Sequence, residues 1–228
     1  MNVTKNSKKK PKSRRQRLDP KERRAQILKA AIKRLESTGY LNLTVPGIVK
    51  IAGVAQGSFY RYFRNVDDIF ISIFNEILVP PIIEAAGKLD LQALKTAEDL
   101  EVALFNWYRA LGELISRRSI LIREALSVVP YSGGDAAREV TRFLESLREW
   151  GEEQMEKVNG SPPFRKVNSR LISHAVVGMV ISASVLAAAE GLDVDSWARE
   201  MARLEGGGLL SSSWKTTLGT RGSISKET

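Results

Sequence analysis

The sequence predicts an all-α protein, with a short three-helix head at its amino end and a longer helical body behind it. Two observations carry this. Apolar residues recur at helical spacing from Pro20 to about residue 205, and no period-two run is long enough for a strand. Charge is segregated as well. Of the net +9, residues 1–64 hold 17 basic and 3 acidic side chains, a net of +14, while residues 65–228 hold 18 and 23, a net of −5. A basic head on a mildly acidic body implies an anionic partner at one end, either nucleic acid or an acidic membrane surface.

The elements follow in order. Residues 1–17, MNVTKNSKKKPKSRRQR, have one apolar side chain beyond the first Met and are expected to be a disordered basic arm. Asp19 is a good N-cap, Pro20 fits the first helical position, and Glu22 completes a capping box. Leu28, Ala31, Ile32 and Leu35 then form one stripe, which Gly39 ends. A short helix is expected from Thr44 to about Ile51 and a third over roughly Gln56–Phe63. Asn65 caps a fourth, with Asp67 and Asp68 in its positive first turn, and Pro80-Pro81 kinks or ends it. Longer helices are predicted at about 97–117, 119–128, 135–157, 166–190 and 195–205, about nine in all. The sequence thus divides into an arm (1–17), a head (18–64), a helical body (65–205) and a Gly/Ser/Thr-rich flexible tail (206–228) that contains Trp214.

Several function classes are excluded or disfavoured. Without cysteine there is no disulfide framework, thiolate nucleophile or Cys-ligated metal, and the single His174 leaves no histidine pair. No Gly-rich phosphate loop or compact carboxylate constellation appears, so no enzyme, cofactor or metal is expected. The run Glu149, Glu152, Glu153, Glu156 reads as a solvated helix face. No apolar segment of a signal peptide follows the basic start, so a cytoplasmic protein is expected. The stretch 171–189 lacks Asp, Glu, Lys and Arg and approaches membrane-spanning length. Its many small residues instead favour a helix buried on two faces, one of them against a partner chain.

The specific signal lies in IAGVAQGSFYRYF. Ala52-Gly53-Val54 makes a tight turn, with glycine supplying the torsion and Val54 plugging the angle. The helix after it presents Gln56, Gly57, Ser58 and Arg61 on one side and Phe59 and Phe63 on the other. A helix that enters the major groove needs this division. Short side chains let the backbone approach, polar ones read base edges, and aromatic ones anchor the inner face.

Residues 20–70 resemble the DNA-binding domain of the TetR (tetracycline-repressor-like) family. The Gly39-Tyr40, Thr44-Val45, Ala52-Gly53-Val54 and Tyr60-Arg61-Tyr62-Phe63 spacings together carry the likeness. It implies that Thr44 caps the second helix beside a phosphate, that Gln56, Gly57, Ser58 and Arg61 face the bases, and that Tyr60 and Tyr40 lie at the DNA backbone. Three positions depart from the family pattern. Ala55 stands where a hydroxyl cap is usual, Gly47 replaces an acidic residue, and Val66 replaces a phosphate-clamping lysine. The basic arm and Arg64 are expected to replace the missing contact.

The resemblance further implies an effector pocket in the body and a homodimer joined through the last two long helices. Candidate pocket residues are Phe70, Phe74, Phe105 and Tyr108, with Phe143, Leu147, His174 and Met179 from later helices; each is also compatible with plain core. Candidate interface residues are Gly178, Ser182, Val185, Trp197 and Met201. The expected function is a sequence-specific regulator, a repressor released from a palindromic double-stranded operator by a hydrophobic or amphipathic small molecule. The alternatives are a regulator without such an effector and a nonspecific nucleic-acid binder acting through the arm.

Overall fold

Capping and proline placement set the helix boundaries, as seen in a computed structural model that describes residues 19–210. The arm expected over 1–17 and Trp214 lie outside the described residues. Among those residues there are nine continuous helices and no strand beyond an isolated bridge between Phe164 and Leu210. The head comprises α1 (Pro20–Thr38), α2 (Val45–Ala52) and α3 (Gln56–Tyr60). The body comprises α4 (66–86), α5 (Ala97–Arg117), α6 (119–128), α7 (Gly134–Glu156), α8 (Ser169–Ala189) and α9 (Val194–Leu209). Glu22 accepts the Asp19 N–H at 3.2 Å, Thr44 Oγ1 accepts the Gly47 N–H at 3.3 Å, and Asn65 Oδ1 accepts the Asp68 N–H at 2.8 Å. These bonds satisfy amides that a helix start leaves without partners.

Two helices contain the same π turn just before a proline. In α4, Val79 donates to Phe74 five residues back, and Pro80 follows; in α6, Val129 donates to Glu124, and Pro130 follows. A proline has no N–H for the carbonyl four residues earlier, so the ladder slips into one π turn before it. The Pro80-Pro81 pair therefore interrupts the hydrogen-bond ladder of α4 without ending the helix. The helix runs on to Ala86.

Head and body share one apolar core. Ile27, Leu35 and Ile48 of the head, Ile69 and Phe70 of α4, Leu121 and Ala125 of α6, and Ala136 and Val140 of α7 belong to a single buried cluster. A fully buried side chain of this size contributes about 1.5–3 kcal/mol relative to exposure. The head boundary expected at residue 64 thus falls within a continuous interior. A second cluster joins α5 to α9, where Gly112 lets the helices approach: a Cβ there would lie 3.1 Å from Trp197 Cε3.

The first residues of the stretch expected to be a flexible tail from 206 are ordered, and those after 210 lie outside the described residues. Gly206, Gly207 and Gly208 are helical, and the helix ends on buried Leu209, followed by buried Leu210. Gly206 packs beside Leu104, and Arg165 N–H donates to the Leu209 carbonyl at 2.8 Å. Tertiary burial here outweighs the poor helix propensity of glycine. Two stretches, 66–93 and Ser169–Ala189, are long and apolar enough by composition to cross a membrane. Here the first packs against α1 and α7, and the second against α5, α6 and α7.

Candidate nucleic-acid interface and effector cavity

The α2–α3 unit is anchored from beneath. Phe59 and Phe63 are buried with ring centroids 5.6 Å apart, and Gln26 Nε2 donates to the Ala52 carbonyl at 2.8 Å. Gly53, at φ 65°, ends α2 in the left-handed region that favours glycine. With this underside fixed, Gln56, Gly57, Tyr60 and Arg61 are exposed on α3 and its C-terminal edge, Thr44 is exposed before α2, and Ser58 is half-buried. Nothing lies within 4 Å of where a Gly57 Cβ would stand, so this surface is open to close approach. Lys50, exposed in the last turn of α2, adds a cation that the motif reading overlooked. Ala55 begins α3 without a side-chain cap.

Two expected DNA contacts are placed differently. Tyr40 is buried, its ring edge-on to Phe70 at 4.9 Å and its hydroxyl donating to Asp67 Oδ1 at 2.7 Å. Burial first, then the bond and charge of Asp67, push its hydroxyl well above the ordinary range. It is a junction residue, not a surface one. The Arg64 guanidinium is exposed but bonded to Asp68 at 3.1 Å, while its backbone N–H donates to the same carboxylate at 2.8 Å. Burial alone would raise Asp68, but these bonds outweigh it and hold the carboxyl below its usual range. Val66, in the lysine position, is half-buried against the shared core.

Polar contacts tie head to body at three places. Glu124 in the π turn of α6 is 3% exposed, accepts the Tyr40 N–H at 2.7 Å and pairs with Arg123 at 2.5 Å. Asp67 accepts the Tyr40 hydroxyl with one oxygen. With the other it accepts the Asp135 and Ala136 N–H groups at 2.8 and 3.3 Å, capping the positive end of α7. Arg24 of α1 holds Glu76 of α4 through two bonds of 2.5 and 3.0 Å, with its guanidinium 5.2 Å from the centre of the Phe63 ring. The Arg24 bonds hold the Glu76 carboxyl below its usual range.

A mainly apolar cavity of about 110 Å³ lies among the body helices. Its walls include Trp107 and Leu111 of α5, Ile122 and Leu126 of α6, Trp150 of α7, and Val176 and Val180 of α8. Of the eight candidate pocket residues, Phe143 and Leu147 line it. Phe70, Phe74 and Tyr108 are instead fully buried core, because their stripes face neighbouring helices with no space between. Phe105 is half-buried on the outer side beneath the Arg199 guanidinium, and Met179 packs against the second cluster. His174 is exposed, with Nδ1 2.9 Å from the Arg170 carbonyl of its own helix. Trp150 and Glu205 also line the cavity, and neither is among the residues that the sequence pattern marks as pocket candidates.

The interface candidates also separate. Gly178, Ser182 and Val185 are exposed along α8, in line with exposed Leu171 and Leu186. Trp197 turns inward, edge-on to Tyr108 with centroids 5.4 Å apart, and Met201 is half-buried against the second cluster. The helical period shows that one face of α9 is apolar; the absent Cβ at Gly112 draws that face onto α5.

Comparison with known proteins agrees with this architecture. Residues 27–73 match the model of the family described as bacterial regulatory proteins, tetR family. A fatty acid metabolism regulator protein of Bacillus subtilis (strain 168) is 47% identical over 51 residues, a match that spans 22% of this chain and only 26% of that protein. The transcriptional regulator FadR of Bacillus subtilis, solved with stearoyl-CoA, is similar at TM-score 0.65 and 21% identity, over 81% of this chain and 98% of that one. NalD, the secondary repressor of the MexAB-OprM multidrug efflux pump in Pseudomonas aeruginosa, is similar at TM-score 0.64 and 20% identity, over 85% and 100%. At these identities the solved structures establish the shared fold.

Proposed function

We propose that this chain, whose head carries the tetR-family domain of bacterial regulatory proteins, is a cytoplasmic homodimeric transcriptional regulator that a small apolar or amphipathic molecule releases from its DNA operator. The observation that carries the reading is the α3 surface: Gln56, Gly57, Tyr60 and Arg61 exposed above the buried Phe59 and Phe63. Gln56 suits adenine, Arg61 suits guanine or a phosphate, and the Tyr60 hydroxyl suits a phosphate. Thr44 and Lys50 extend the contact along the DNA backbone.

The apolar α8 face formed by Leu171, Gly178, Ser182, Val185 and Leu186 supports pairing with a second copy. Two heads would then meet two half-sites of a palindrome. The cavity supports an effector, as does the stearoyl-CoA held by FadR, which has the same fold. Ile122 and Leu126 line the cavity, while Glu124 between them holds the Tyr40 corner of the head. A ligand that pushes α6 outward therefore acts on the junction directly. It weakens DNA binding by its differential affinity for the two arrangements.

Selection of bound sequences from random DNA tests the reading. A regulator yields a palindromic site that survives competition by bulk DNA, whereas recovery of no preferred sequence refutes it.

A further inference from the structure

One side chain is out of keeping with the cavity it lines. Glu205, on α9, has its carboxyl end inside, where Oε2 accepts the Tyr108 hydroxyl at 2.6 Å. It makes no other hydrogen bond and no ion pair among the described residues. Around the cavity it is the one charged side chain among those residues; Gln154 and Ser173 are polar, and the Ser173 hydroxyl is occupied by the Arg148 carbonyl at 2.6 Å. Burial pushes the Glu205 carboxyl up, while the Tyr108 bond pulls it down by less. Trp107, Phe143 and Trp150 bring aromatic surface to the same cavity.

A carboxyl in an apolar enclosure is costly unless something with opposite charge or a strong donor meets it. No cation among the described residues does so. Arg199 lies over Phe105, and Arg165 donates to the Gly208 carbonyl. From the helices packed on α9, Tyr108 is the titratable group that faces it. Aromatic rings attract ammonium groups through their negative faces. The space, about 110 Å³, is of the same order as the ~150 Å³ apolar cavity that admits benzene.

We propose that the cavity takes an apolar amine in its ammonium form, with a body of about one ring, and that Glu205 is the counter-ion that selects the positive charge. This rests on the cavity being the effector site. An ammonium completes the ion pair that the described residues leave open, whereas an anion of the same shape meets like charge at low dielectric. A neutral hydrocarbon fills the walls but leaves the carboxyl unsatisfied. Glu205 must be ionised to pair, so amine binding releases a proton wherever the free carboxyl is protonated. Affinity then falls as pH drops.

The test is calorimetric titration of the full chain, without DNA, with 2-phenylethylamine, propylbenzene and 3-phenylpropanoate between about pH 5 and pH 8. The amine is expected to bind at least about tenfold more tightly than either comparator, with affinity falling toward the acid end. Glu205→Gln should lower the ratio of amine to propylbenzene affinity by about tenfold or more. Tyr108→Phe removes the donor that favours the ionised carboxyl and should move the pH midpoint of amine binding upward. Equal or tighter binding of the hydrocarbon or the carboxylate, an unchanged ratio in Glu205→Gln, or no binding of any probe overturns the proposal. A chain that takes the amine but prefers no DNA sequence refutes the regulator and leaves the amine site standing without its role as an effector site. One that finds an operator but prefers the carboxylate does the reverse.

Discussion

Replacing Glu124 by alanine should destabilise the whole chain, although the residue lies outside both the DNA surface and the cavity lining. Its carboxylate is 3% exposed and accepts the Tyr40 N–H at 2.7 Å. Without it, that amide is buried and unpaired, at a cost of about 1–3 kcal/mol. The bond to Arg123 at 2.5 Å adds little, because that side chain is 34% exposed and screened, a setting worth ~0–1 kcal/mol. A sum of about 1–4 kcal/mol lowers the Tm by roughly 2–16 °C in a chain of this length. Thermal unfolding followed by circular dichroism at neutral pH reads this directly. Glu124→Gln keeps an oxygen for the amide and should lose about half as much. An alanine variant melting within about 1 °C of the parent would show that this contact does not hold the head to the body.

The other predictions concern the remaining contacts. Glu76 is held below its usual range by Arg24, so its contribution is present above the unfolded carboxylate pKa and is lost as pH falls through the lower folded value. Glu76→Gln should therefore cost stability at pH 7 and none at the acid end of a Tm series. Both partners are more than a third exposed, so the neutral-pH loss stays at ~0–1 kcal/mol. Gly134→Ala places a Cβ 2.5 Å from Asp67 Oδ2 at a residue with φ 82°. It should lower the unfolding free energy by about 2–4 kcal/mol, read as a lower urea midpoint with an unchanged slope; an unshifted midpoint would refute the close approach. Arg61→Ala should leave stability within about 0.5 kcal/mol and weaken operator binding by ~1–3 kcal/mol in gel shifts. Full affinity in that variant would remove Arg61 from the proposed interface.

Local chemistry was readable where it is decided locally. The Thr44 and Asn65 caps, the Gly53 turn and the buried Phe59 and Phe63 depend on a few neighbouring residues, and each stands where spacing placed it. Residues whose role depends on a distant element were not readable. Phe70, Phe74 and Tyr108 lie on true helical stripes, but a stripe does not show whether a helix or a space lies opposite. Tyr40 looks like a surface residue until Glu124 and Asp67, 84 and 27 positions away, close around it. Glu205 fell in a short polar-looking helix end. Only the inward turn of α9 onto α5 brings its carboxyl to the cavity.

On the proposed reading, this junction also bears on how the signal travels. Two of the three polar ties between body and head contrast in strength. One passes along α4 to the Arg24–Glu76 pair, and the other passes from α6 through Glu124 to the backbone of Tyr40. The first is solvent-exposed on both sides and joins two flexible side chains, so it yields at little cost. The second is buried, short and anchored to main chain, and it lies between two cavity-lining residues of α6, Ile122 and Leu126. A displacement of α6 is therefore passed to the α1–α2 corner, whereas a displacement of Glu76 is absorbed by Arg24. Loss of Glu124 should then uncouple effector from operator more completely than loss of Glu76. A double-mutant comparison of operator affinity with and without bound ligand separates the two routes.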